Sequence, residues 1–75
     1  MYDPQTVAFR IKTRARETKV PIRTLCGDCD LGINAISQLA GGQVMSFISL
    51  ALIADRLDCS VDYLLGRTEN PAVNR

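Results

Sequence analysis

The chain has 75 residues, of which 47% are hydrophobic and 23% charged, and its formal net charge is +1. This composition predicts one small folded domain and excludes an intrinsically disordered chain. The longest apolar stretch, residues 44–54, is too short to span a bilayer. No signal-like leader opens the sequence, so we expect a cytoplasmic protein without a membrane partner.

Apolar residues recur at helical spacing along most of the chain, and no alternating strand pattern is found. The sequence therefore predicts an all-α fold, a compact domain of five helices. The predicted helices cover residues 4–18, 22–29, 33–40, 47–57 and 61–65. Residues 67–75 show no periodicity and are predicted to be a flexible tail, which leaves residues 1–66 as the domain.

Several residues at the predicted helix ends are typical capping residues. Asp3 precedes Pro4, a residue that suits the first helical turn. Ser46 and Ser60 stand immediately before the fourth and fifth helices, and Gly66 follows the fifth. These signals fix the ends of the predicted helices more closely than periodicity alone.

The fourth predicted helix carries apolar residues at helical spacing. Its repeat of Ile48, Ala51, Leu52 and Leu57 predicts the face that turns towards the core. Phe47 and Ile48 are also candidates for a dimer contact, and the pattern does not decide between the two interpretations.

The stretch CGDC, residues 26–29, has the spacing of half a zinc site or of a redox pair. A structural zinc ion needs four ligands, whereas the chain has no histidine and only one further cysteine, Cys59. A thioredoxin-like pair follows a strand, and no strand is predicted before Cys26. Because Cys26 and Cys29 share a helical face with Leu25, we expect all three cysteines to be packing residues, and we expect no metal and no cofactor.

Positive charge is concentrated near the start of the chain. Residues 1–25 contain six Lys or Arg and two acids, whereas residues 26–75 contain three Arg and six acids. The basic end either steers the protein towards phosphate or forms a solvated helix face, and charge alone leaves both interpretations open. Arg14 and Arg16 are expected to be solvated.

Two short helices joined by a three-residue turn at residues 30–32 are the minimum arrangement for a helix-turn-helix. In the third helix, Ile36 and Leu39 are predicted to face the core. Four residues are then left facing outward, and they are Ile33, Asn34, Ser37 and Gln38. Asn and Gln side chains pair with adenine edges and Ser with several bases, so these four residues are candidate base contacts.

From Arg10 to Pro71 the sequence resembles the phage-repressor-like helix-turn-helix family (lambda and 434 repressor and Cro, XRE-type). The stretch TLCGDCDLGINAISQLAGGQ, residues 24–43, is similar to the second and third helices of that family. The stretch LALIADRLDCSVDYLLGRTENP, residues 50–71, is similar to its fourth and fifth helices. The resemblance implies a sequence-specific regulator of transcription, of repressor type, that binds double-stranded DNA as a homodimer on a two-fold site.

The resemblance also implies roles for individual residues. Ile33, Asn34 and Gln38 occupy positions that read base edges in the family. Phosphate contacts are implied near the start of the second helix and in the loop after the third helix, with charge added by Arg23 and by Lys19 or Arg10. The implied phosphate-contact residues are Ile22, Arg23, Gly41, Gln43 and Ser46.

Two departures from the family pattern keep a second function open. Ile22 and Ile33 stand where members often carry polar residues, and the loop at residues 41–46 has no charge. A helix-turn-helix module that binds a protein partner, as an antitoxin or anti-repressor does, is therefore the alternative. An enzyme is not expected, since the sequence offers no histidine, no glycine-rich phosphate loop and no nucleophile–base pair, and no small-molecule ligand is evident.

Overall fold

The computed structural model describes residues 3–72, and over these residues the chain forms five α-helices and no strand. The helices are α1 (Pro4–Glu17), α2 (Ile22–Asp28), α3 (Ala35–Ala40), α4 (Phe47–Arg56) and α5 (Val61–Leu65). The predicted all-α class is confirmed, and four helices begin and end within one residue of the prediction. The third helix begins two residues later than predicted, because Ile33 and Asn34 form a tight turn in which the Ala35 N–H donates to the Gly32 carbonyl at 3.0 Å.

The predicted N-terminal caps are confirmed at three helices. The Asp3 carboxylate accepts the Gln5 N–H at 3.0 Å at the start of α1. The Ser46 hydroxyl accepts the Ser49 N–H at 3.1 Å at the start of α4. A third cap, from Ser60, accepts an N–H of α5 at 3.0 Å. Each such cap stabilises its helix by about 1 kcal/mol.

All five helices of the described chain end in the same way. A residue with positive φ follows each helix, and these residues are Lys19 (60°), Asp30 (56°), Gly42 (103°), Asp58 (52°) and Gly66 (85°). The residue after it donates its N–H to the carbonyl five positions earlier, as Leu31 does to Cys26 at 2.8 Å and Cys59 to Ala54 at 3.0 Å. Because this arrangement satisfies carbonyls that the helix end leaves unpaired, each helix stops sharply and the connections stay short.

The core is organised around α1, which packs against α2, α3 and α5, while α4 packs against α2 and α5. Among the described residues, no polar or charged residue is buried. The largest fully buried side chains come from every helix and from the residue that follows α4, and they are Ile11, Leu25, Cys26, Ile36, Ile53, Leu57 and Leu64. The apolar face of each helix therefore meets in a single small core.

The core orientation expected for Ala51 and Leu52 in α4 is wrong, and Ile48, for which the sequence left open the core or a dimer contact, does not lie in the core. Leu57 is buried as expected, but Ile48 is 59% exposed, Leu52 is 45% exposed and Ala51 also faces solvent. The residues turned inward are instead Leu50, Ile53 and Ala54. Residues 47–54 of this helix contain only one polar side chain, so periodicity could not select a face, and packing against α2 and α5 selected it.

Residues 67–72, the first part of the predicted tail, make specific contacts with the helices. The Arg10 guanidinium donates to the Thr68 carbonyl at 3.1 Å and to the Glu69 carboxylate at 2.8 Å. It also lies over the Tyr63 ring, 4.9 Å from the centroid, and the Ser60 N–H donates to a carbonyl of the same segment at 3.0 Å. Residues 73–75 of the predicted tail lie outside the described residues.

Candidate nucleic-acid interface

The segment that ends in α3 has an inner and an outer side. Ile36 and Leu39 are 2% and 4% exposed and lie in the core, as predicted. The four candidate base-contact residues all lie on the surface, and they are Ile33, Asn34, Ser37 and Gln38. Two buried anchors thus hold a short helix whose outward side is mostly polar.

The polar side chains of this surface are available to an outside partner. Asn34 stands at the N-cap of α3, but its side chain makes no capping hydrogen bond. Within residues 3–72, the side chains of Ser37 and Gln38 also make no hydrogen bond to the protein. With six residues, α3 is about 9 Å long, and an α-helix with its side chains is about 10 to 12 Å across, which is close to the width of about 12 Å of a DNA major groove.

The turn between α2 and α3 is held from the core side. Leu25, Cys26 and Cys29 of the α2 region are buried, as predicted, and Leu31 is partly buried against the core. Asp30 adopts the left-handed conformation with φ of 56°, whereas Gly32 does not have a positive φ. The bend therefore depends on Asp30 and on the Leu31 anchor more than on the glycine.

The candidate phosphate-contact residues differ in whether their hydrogen-bonding groups are already used within the fold. Ile22 begins α2 and is half-buried against the core, and Arg23 is exposed. The backbone N–H groups of Gly41 and Gln43 already donate to carbonyls of α3, at 3.0 Å and 3.1 Å. The Ser46 hydroxyl caps α4. The exposed side chains of Arg23 and Gln43 are thus the groups of this set that are least engaged within the fold.

Two of the six cations in residues 1–25 are engaged within the fold. Arg10 contacts the segment after α5, and Arg14 donates from Nε and Nη2 to the carbonyls of Leu57 and Asp58, each at 3.0 Å. The expectation of a solvated Arg14 is wrong, because its side chain, only 19% exposed, closes the C-terminal end of α4. The cations left on the surface are Lys12, Arg16, Lys19 and Arg23.

The three cysteines are free and buried, which confirms their prediction as packing residues. Burial raises the pKa of the Cys26, Cys29 and Cys59 thiols above the ordinary value, and Asp28 adds to the effect at Cys29. A neutral thiol is a poor nucleophile, so these groups are suited to packing rather than to chemistry. Across residues 3–72 no cluster of three or more candidate metal ligands is found.

A second surface was not resolved by sequence reasoning. Val44, Phe47, Ile48 and Leu52 are 86%, 81%, 59% and 45% exposed, and we call them the apolar ridge. The available signal was the number of apolar residues in α4, which exceeds what one helix face can bury. Val44 lines the same shallow groove as Gln38, so the ridge adjoins the polar surface of α3.

No family model, curated protein or solved structure matches this chain. None of the helices in residues 3–72 has the length and hydropathy needed to cross a membrane. The function is therefore argued from two neighbouring surfaces, one polar on α3 and one apolar on α4, together with the exposed cations of α1 and α2.

Proposed function

We propose that this protein is a sequence-specific DNA-binding regulator of transcription, of phage-repressor type, that reads the major groove with residues 33–40. The observation that carries the proposal is the division of this segment. Ile36 and Leu39 are buried, while Asn34, Ser37 and Gln38 are exposed and make no side-chain hydrogen bond within the described chain. A short helix fixed from behind, with unengaged polar side chains in front, is what groove reading requires.

The outward side chains suit the chemistry of base edges. Asn34 and Gln38 each present an amide that pairs bidentately with N6 and N7 of adenine. Ser37 donates to either purines or pyrimidines, and Ile33, 62% exposed, offers an apolar contact for a thymine methyl group. The proposal therefore implies a half-site rich in A·T pairs.

Phosphate contacts in this proposal come from few charges. Lys19 and Arg23 flank the start of α2, and residues 24–55 contain no Lys or Arg. With about two to four phosphates neutralised, log Kd should change with log salt with a slope of about 2 to 4. Two copies on a two-fold site would bring the half-sites about 34 Å apart.

The test begins with selection of bound duplexes from a randomised pool at low salt. Affinity for the selected and a scrambled duplex is then measured by fluorescence anisotropy at several salt concentrations. Asn34→Ala and Gln38→Ala should each weaken binding to the selected duplex about 10- to 100-fold, with little change for the scrambled duplex.

A matched control is Gln5→Ala, which removes an exposed amide from α1. This variant should bind the selected duplex like the unmodified protein. If no sequence is enriched, or if all three variants bind alike, the proposal is wrong.

A protein-binding module is the second candidate, and the exposure of Ile33 favours it. Ile22 contributes less than expected to such a surface, because it is half-buried against the core. Under this alternative, Ile33→Asp would abolish partner binding, whereas no duplex would be selected from the pool.

A further inference from the structure

We propose that the apolar ridge is the contact between two copies of this chain, which pair antiparallel along α4 about a two-fold axis beside Ala51. This assignment rests on the proposed function, in which two copies occupy a two-fold site. It is nevertheless tested without DNA, so that failure of the pairing and failure of DNA binding can be told apart.

The size of the ridge suits a small interface. At the exposures found for Val44, Phe47, Ile48 and Leu52, the four side chains present on the order of 500 Å² of surface per copy. Two copies would thus bury at most about 1,000 Å² in total, which is the lower limit for a specific interface. We therefore expect a weak dimer whose population depends on protein concentration.

The shape of α4 also allows close approach of a second helix. Ala51 lies between Phe47 and Asp55 along the exposed side, and its small side chain leaves room for the facing backbone. Residues 46–54 carry no ionisable side chain, so two identical faces meet along this stretch without repulsion between like charges. A two-fold contact requires such self-complementarity.

Asp55 determines the direction of the pairing. It is exposed and lies three and seven residues after Leu52 and Ile48, on the same side of the helix. A parallel pair would place the two Asp55 carboxylates side by side. An antiparallel pair centred on Ala51 instead places Asp55 near Phe47 of the other copy, where α4 begins.

That position is electrostatically favourable. The first turn of α4 contains no acidic residue, so no carboxylate of that turn balances the partial positive charge of the helix N-terminus. A carboxylate from the second copy supplies the missing negative charge at both ends of the pair. Charge complementarity thus favours a second copy in antiparallel orientation as the occupant of the ridge.

The location of the ridge connects it to the proposed reading surface. Val44 of the ridge and Gln38 of α3 line one groove. The ridge therefore borders the proposed reading surface.

The test is sedimentation equilibrium of the full chain without DNA, from about 5 to 500 μM. We expect a monomer–dimer equilibrium that shifts towards dimer within this concentration range, as for a weak interface. Ile48→Lys should raise Kd at least tenfold, and Asp55→Asn about two- to fivefold.

Phe9→Lys is the matched control, because Phe9 is 69% exposed but lies on α1. Circular dichroism should show that the three variants fold like the unmodified protein. A second measurement uses Ala51→Cys, since the natural cysteines are all buried. Mild oxidation should join this variant into a disulfide dimer and leave Gln5→Cys monomeric.

Three results would overturn the assignment. The first is a monomer up to 500 μM, which would leave the ridge to a different partner. The second is a dimer that Ile48→Lys weakens no more than Phe9→Lys does. The third is equal crosslinking of the Ala51→Cys and Gln5→Cys variants. Sequence-selective DNA binding by a protein that gives any of these results would leave the proposed function standing.

Discussion

The two helices α3 and α4 insert apolar side chains into the same core and yet present opposite chemistry to the surface. Outside its buried Ile36 and Leu39, the α3 segment presents mainly amides and a hydroxyl. Outside its buried Ile53 and Ala54, α4 presents large apolar side chains. The buried residues therefore do not distinguish the two helices. The difference lies in the exposed side chains, which are mainly polar on α3 and mainly apolar on α4.

This difference separates two kinds of recognition. Exposed amides are well solvated and add specificity when they meet hydrogen-bonding edges such as those of bases. Exposed apolar side chains are favoured only when another apolar surface covers them. In the two proposals, α3 therefore selects the DNA sequence, and α4 pairs two copies of the chain so that both half-sites are bound.

The largest expected effect on stability compares a buried and an exposed residue of the α3 segment. Ile36→Ala removes a side chain that is 2% exposed, and it should lower the free energy of unfolding by about 2 to 5 kcal/mol. Ile33→Ala, at a position 62% exposed, should change it by no more than about 0.5 kcal/mol. Urea unfolding of both variants measures the contrast, and similar losses would show that the segment has no distinct inner side.

An intermediate effect is expected where α1 holds the end of α4. Arg14→Ala removes two hydrogen bonds to the carbonyls of Leu57 and Asp58 and should cost about 1 to 3 kcal/mol in the free energy of unfolding. Arg16→Ala removes an exposed arginine of the same helix and should cost about 0.5 kcal/mol or less. Thermal unfolding compares the two, and equal stability would show that the Arg14 contacts do not position α4.

The smallest effect on the free energy of unfolding is expected at high pH, from the buried Cys59 thiol in the core that both helices share. Burial holds the pKa of the Cys59 thiol above its ordinary value of 9.0 in the folded chain. Below that value both states keep the proton. As the pH rises above it, the unfolded chain loses protons that the folded chain retains, so the free energy of unfolding falls.

Urea unfolding at several pH values from 7 to 10 measures this fall, and the Cys59→Ala variant serves as reference. All other ionisable side chains are the same in both proteins, so the difference between the two curves reports the Cys59 thiol. The unmodified protein should lose stability more steeply above about pH 9. Parallel curves would show that the thiol ionises as readily in the folded chain as in the unfolded one.

Much of the secondary structure was predictable because its signals are local. Asp3, Ser46 and Ser60 act as caps through N–H groups two or three residues away, and Gly66 ends α5 with a φ of 85°. The inward side of α3 was also predictable, because polar residues separate Ile36 from Leu39 and the two apolar residues lie at helical spacing. Its exposed residues followed from the same pattern, while their contact with DNA remains a prediction.

The errors arose where local signals were ambiguous or absent. In α4 only one of residues 47–54 is polar, so this stretch offers too little contrast from which to choose the buried face. Arg14 and Arg10 have partners 43 to 59 residues away in the chain. Spacing within a helix carries no information about such partners, which is why Arg14 was expected to be solvated and Arg10 was considered for phosphate binding.

The sequence by itself determined five helices, their caps and the all-α class, because these depend on hydrogen bonds and periodicities that span a few residues. Only the tertiary structure decided which side of α4 was buried and which cations remained on the surface. Those outcomes depend on which helices pack together, and packing is set by the fit of the whole core rather than by any one segment. The proposed dimer surface exists because the core could not bury all the apolar residues of α4.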